Sequence, residues 1–149
     1  MTEESLSEAA TAEREAEERR RTREVPFPPL ADQGAFFTFS LSAQAKLEEA
    51  LLAFDPSYRQ QRRESFFGAC ERHLLAGTPA MLSAVIDVGL KVKNEERRNV
   101  PCTGIDLDEI EWTAEDIVRP ALEALAGCHL GKSYTELLRE MTESLKETS

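Results

Sequence analysis

The sequence predicts a mainly α fold in which one strand-helix-helix unit occurs twice, giving a two-stranded antiparallel ribbon, four core helices and a connecting helix. Three observations predict it. Phe37, Phe39 and Leu41 alternate with Thr38 and Ser40, the period of a strand with one buried face. Two helical patterns follow directly. The whole arrangement then returns without a gap when the sequence is shifted by 71 residues.

Taken in order, residues 1–34 read as an arm and spacer. The first 24 residues hold eight Glu and five Arg and almost no large apolar side chain, so they bury too little surface to offset the entropy of ordering. They are expected to form a mobile arm, or a solvated helix laced by Glu/Arg pairs that orders on a partner. Val25-Pro26-Phe27-Pro28-Pro29-Leu30 favours extended backbone and reads as a stiff spacer. A single domain, 35–149, then begins near Gly34, with repeat one at 36–76, a connection at 77–106 and repeat two at 107–147.

In repeat one, Ser42 reads as a helix N-cap after the strand, and Leu47, Ala50, Leu51 and Phe54 form an apolar face that ends at Asp55-Pro56. A second helix carries Phe66, Phe67, Cys70 and Leu74 on one face, with Gly77 just past its end. Thr78-Pro79 opens a connecting helix through Leu90, after which Lys91–Asn99 is charged and Pro101–Gly104 turns. In repeat two, Phe39 and Leu41 fall on Ile110 and Trp112, and Ser42 falls on Thr113. The first helical face falls on Val118, Ala121, Leu122 and Leu125; the second falls on Leu137, Leu138, Met141 and Leu145. Ser133-Tyr134-Thr135-Glu136 has the form of a capping box. Pro120 sits inside the proposed helix, which must kink or begin later, with Pro120 in its first turn. A lone unit of this kind leaves strand edges unpaired, so the two strands are expected to pair over Phe39, Leu41, Ile110 and Trp112.

This arrangement resembles the ribbon-helix-helix proteins, which are normally homodimers with one unit per chain. The clearest stretch is Gly131-Lys132-Ser133-Tyr134-Thr135-Glu136-Leu137-Leu138-Arg139-Glu140, which looks like that family's second-helix entry. A covalent tandem, or pseudodimer, is similar to the accessory proteins of conjugal plasmid and T-DNA transfer. The resemblance implies a monomer that binds duplex DNA as an accessory or regulatory factor of a mobile genetic element, with the ribbon in the major groove. It places Thr38, Ser40 and Ser42 of repeat one, and Glu109, Glu111 and Thr113 of repeat two, on the outward face of the ribbon. It makes Arg59, Arg62 and Arg63, with Lys132 and Ser133, the phosphate anchors at the second-helix starts. The chain departs from the pattern in one respect: neither strand carries the Arg, Lys, Asn or Gln that commonly reads base edges.

Charge supports a rival reading. The chain carries −10 overall, with −3 in residues 1–24, zero in 36–76 and −6 in 107–147. Glu109 and Glu111 would repel a phosphate backbone, so the alternative is an acidic protein-interaction adaptor or a DNA-mimicking inhibitor that keeps the fold. Its partner would engage the N-terminal arm or the acidic second repeat.

Other chemistries find little support. Ala126-Gly127-Cys128-His129-Leu130-Gly131-Lys132-Ser133 loosely fits a phosphate-loop pattern, but a helix precedes it where a buried strand is required. Cys70-x2-His73 and Cys128-His129 lack the usual zinc spacing, so no metal or cofactor is expected. With two histidines and no G-x-S-x-G segment, the chain is read as non-enzymatic. Three cysteines without a disulfide spacing, no signal-like apolar stretch and no run of about eighteen apolar residues predict a cytoplasmic protein off the membrane.

Overall fold

The computed structural model describes residues 8–14, 23–58, 64–102, 109 and 111–147. Its elements are β1 (Val25–Pro26), a 3₁₀ segment (Pro28–Gln33), β2 (Phe36–Phe37), α1 (Leu41–Phe54), α2 (Phe66–Leu75), α3 (Pro79–Gly89), β3 (Leu90–Lys93), β4 (Asn99–Pro101), α4 (Ala114–Leu125) with a π-helical turn (Ala126–Leu130), and α5 (Tyr134–Glu147). The fold is mainly helical with a small antiparallel sheet in the order β1-β2-β3-β4.

The ends of the helices follow from local chemistry. Ser40, two residues ahead of the expected cap, starts α1: its Oγ accepts the Ala43 N–H at 3.1 Å. Leu41 therefore opens a helix rather than continuing a strand, and it is 83% exposed. Asp55-Pro56 ends α1, and Ser65 caps α2 through the Gly68 N–H. Past α2, Gly77 takes φ +67°, which lets its N–H reach the Leu74 carbonyl while Thr78 N–H reaches His73. Helix α3 begins at Pro79, whose missing N–H costs nothing in a first turn. Helix α4 begins at Ala114, well ahead of Pro120, and buries that proline among Ile117, Ala121 and Leu122.

The strands pair differently from the expected ribbon. Phe36–Phe37 is bordered by Val25–Pro26 on one side and Leu90–Lys91 on the other, and the Thr38 N–H goes to the Gly89 carbonyl. Both edges are occupied, so the strand expected at 109–113 has no edge there to join. Glu109, Glu111, Trp112 and Thr113 are exposed and outside any strand, and Ile110 lies outside the described residues. Trp112, at 39% exposure, is not the buried counterpart of a core strand. The hairpin of the fold is β3–β4, which continues the same four-stranded sheet, with β3 paired to β2. Its strand signal was present in Leu90-Lys91-Val92-Lys93, where apolar and charged residues alternate, and the charge of the segment concealed it.

The core joins the N-terminal and C-terminal halves of the chain. Phe27 packs edge-on against Phe37, which stacks parallel to Phe39; Leu47, Leu51, Leu74, Met81, Val85, Ile117, Leu122 and Leu125 complete it. The proline-rich stretch expected as a spacer is therefore part of the body: Phe27 and Leu30 are buried, and Pro26 sits on an edge strand, where its missing N–H breaks no ladder. Upstream, residues 8–14 are helical and exposed.

Candidate functional site

The residues expected to face DNA are scattered by this fold. Thr38 is half-buried, with Oγ1 3.7 Å from Cys128 Sγ; Ser40 is engaged as the α1 cap; Ser42 is exposed in the first turn of that helix. Thr113 precedes α4, its N–H donating to Asp116 Oδ2 at 2.9 Å. Glu109 and Glu111 are exposed ahead of α4. Lys132 Nζ donates to both oxygens of Glu140, at 3.0 and 2.8 Å, and that pairing holds its pKa above the ordinary lysine value. Ser133 Oγ accepts the Glu136 N–H and so caps α5 rather than offering itself to a phosphate. Arg59, Arg62 and Arg63 lie outside the described residues. The start of α5 thus spends the polar groups of Lys132 and Ser133 on internal pairing and capping.

Two surface features stand out in their place. The first is helix α5. Its N-terminal end is tied to the body: the Tyr134 hydroxyl donates to Glu71 Oε2 at 2.6 Å, its ring lies near Phe67, and its N–H reaches Glu123. Burial and the neighbouring Glu71 carboxylate raise the Tyr134 pKa, so this bond persists across the neutral range. Beyond that anchor the apolar side chains rise to the surface. Leu138, Met141 and Leu145 are 43%, 51% and 71% exposed and recur at helical spacing. In the 71-residue register they correspond to Phe67, Cys70 and Leu74 of α2, all of them buried. Between α4 and α5 a groove of about 350 Å³, lined by Leu75, Val118, Leu122 and Leu138, continues this face, with Glu115 and Arg119 among its lining residues.

The second feature is a cleft of about 640 Å³ where β2, the start of α1, the β3–β4 ribbon and the π turn meet. Arg23, Lys91, Asn99, Cys128 and His129 line it, brought from the segment ahead of β1, the β3–β4 hairpin and the π turn. Phe39 N–H donates to Cys128 Sγ at 3.4 Å, and that thiol lies 3.5 Å from the Arg23 carbonyl. Gln44 Nε2 donates to the Phe39 carbonyl, which leaves its Oε1 to accept from His129 Nδ1 at 2.8 Å. No single-segment motif could have revealed this cleft, because its cations, Arg23 and Lys91, and its thiol and imidazole, Cys128 and His129, come from separate parts of the chain.

Among the described residues, no group of three or more His, Cys, Asp or Glu side chains could hold a metal ion, and no helix is long and apolar enough to cross a membrane. No protein-family model, curated protein or solved structure matches the chain.

Proposed function

We propose that the chain is a protein-interaction adaptor that docks its partner on the exposed face of α5 and the adjoining α4–α5 groove. The observation that carries this is the contrast between two helices of matching pattern: the α2 face is buried, while its α5 counterpart exposes Leu138, Met141 and Leu145. Contiguous apolar surface of this kind on a charged helix marks a contact face. Glu136, Glu140 and Glu143 lie among those side chains, and residues 107–147 carry −6, so the complementary partner is an apolar segment flanked by basic side chains. The test is a photo-crosslinking residue at Met141 in the full chain, irradiated in extract of the source cells. A discrete protein, captured at Met141 but not at Glu109, is expected. Crosslinking only to a second copy of the chain would replace the adaptor with a dimer.

Duplex DNA binding is the second reading, favoured by one observation. The β3–β4 ribbon is antiparallel and carries Lys91, Lys93, Arg97 and Arg98 against Glu95 and Glu96. In this reading β3–β4, rather than 37–41 with 109–113, is the ribbon of the ribbon-helix-helix likeness. Lys93 is already paired with Glu24 at 2.9 Å, and Arg98 lies 3.9 Å from Glu96, which lowers the charge available to a phosphate backbone. A saturable gel shift with duplex DNA at about 50 mM salt that is lost on replacing Arg97 and Arg98 would make this the primary reading.

A further inference from the structure

We propose that the cleft at the start of α1 is a binding site for a small phosphate monoester, independent of the docking face on α5. In a chain with 28 acidic side chains and a net charge of −10, this cleft is lined by Arg23 and Lys91, and among the described residues no carboxylate lines it. Neither cation is engaged in an ion pair among the described residues, unlike Arg72, Lys93, Arg98 and Lys132. They come from separate segments, Arg23 ahead of β1 and Lys91 within β3, so the fold converges two positive charges on one concavity. The first turn of α1 also borders the cleft through Ser40, Leu41 and Gln44, adding the positive end of a 14-residue helix.

The volume selects the class of ligand. A cleft of about 640 Å³ is far larger than one phosphate group and falls in the range of small-molecule sites, about 300–1,000 Å³. Phe39, Leu41 and Cys128 supply apolar wall for an organic portion, and the Gln44–His129 hydrogen bond fixes an imidazole ring at its edge. Two cations and a helix start suit a dianionic phosphate better than a single carboxylate.

The test is a calorimetric titration of the full chain with adenosine monophosphate, glucose 6-phosphate, inorganic phosphate, adenosine, a hexaglutamate peptide and a short DNA duplex. Saturable binding of at least one phosphate ester, with none for adenosine, is expected; inorganic phosphate binding as well would show that the phosphate group itself provides the anchor. Arg23→Gln with Lys91→Gln should weaken that binding by about tenfold or more, the loss expected for one or two charge-assisted hydrogen bonds. Lys91→Arg should retain it, and unchanged circular dichroism would show that the variants fold. The proposal is overturned if no ester binds saturably, if the double variant binds as well as the parent, or if only hexaglutamate or duplex DNA binds there.

Discussion

Gly89 shows how a single residue fixes the junction between helix and sheet. A Cβ built there would stand 2.5 Å from Cε1 and 2.7 Å from Cζ of Phe39, so the aromatic ring occupies the space that any side chain would need. Its φ is not in the left-handed region, so the requirement is steric rather than conformational. Gly89→Ala should therefore lower stability by about 1–3 kcal/mol, measured by thermal unfolding, and Phe39→Leu in the same chain should recover part of the loss. Asp55 makes a second residue-scale statement. His73 Nε2 and Arg72 lie 2.9 and 2.7 Å from its Oδ2, and these two hydrogen bonds, His73 first, hold its carboxyl below the ordinary aspartate value. A pKa lowered on folding contributes stability that is fully present above about pH 4 and is lost as pH falls through the folded value. Acid titration of stability should thus be shallower below pH 4 in Asp55→Asn than in the parent; parallel curves would remove Asp55 from the acid response. Cys70 illustrates what sequence alone can reach. Its place on an apolar helical face was legible, and its burial pushes the thiol up to about 12. The inward turn of Thr38 toward Cys128 was not legible, because it depends on a contact across 90 residues.

The helices were legible because their apolar spacing and caps are local: Leu47 with Leu51, Phe66 with Cys70, and Gly77 at a positive φ all fall where the pattern puts them. The small strands were not, since two or three residues carry too little periodicity, and the pairing partner of Phe36–Phe37 is set by the whole fold. Nor can amphipathicity say what covers an apolar face. The same spacing yields a buried face on α2 and an exposed one on α5, where Tyr134 and Leu137, at the N-terminal end, pack against the core while Leu138, Met141 and Leu145 are exposed. A contrast in stability follows. Leu74→Ala should cost about 2–5 kcal/mol, as a large-to-small change in a packed core. Leu138→Glu with Met141→Glu, on the α5 face that the register matches to the same α2 face, should change stability by no more than about 1 kcal/mol in chemical denaturation. Equal losses would show that the α5 face is held within the fold and is not a docking surface.

On the scale of the whole molecule, charge and apolar exposure fall in different places. The body from β1 to α4 buries its aromatic and aliphatic side chains around one core, whereas the acidic C-terminal part presents its apolar side chains outward. That distribution suits a protein whose last helix belongs partly to another chain, and it gives affinity two components: apolar burial, and an attraction between unlike charges that salt screens. The most direct test is hydrogen-deuterium exchange across residues 134–145 of the full chain, with an amphipathic Leu/Lys helical peptide as the probe and its Leu/Glu counterpart as the control. The account predicts that the Leu/Lys peptide protects this segment, that protection weakens as salt is raised, and that Leu138→Glu with Met141→Glu abolishes it. Equal protection by both peptides, or protection unchanged in the double variant, would contradict the assignment of α5 as the docking face.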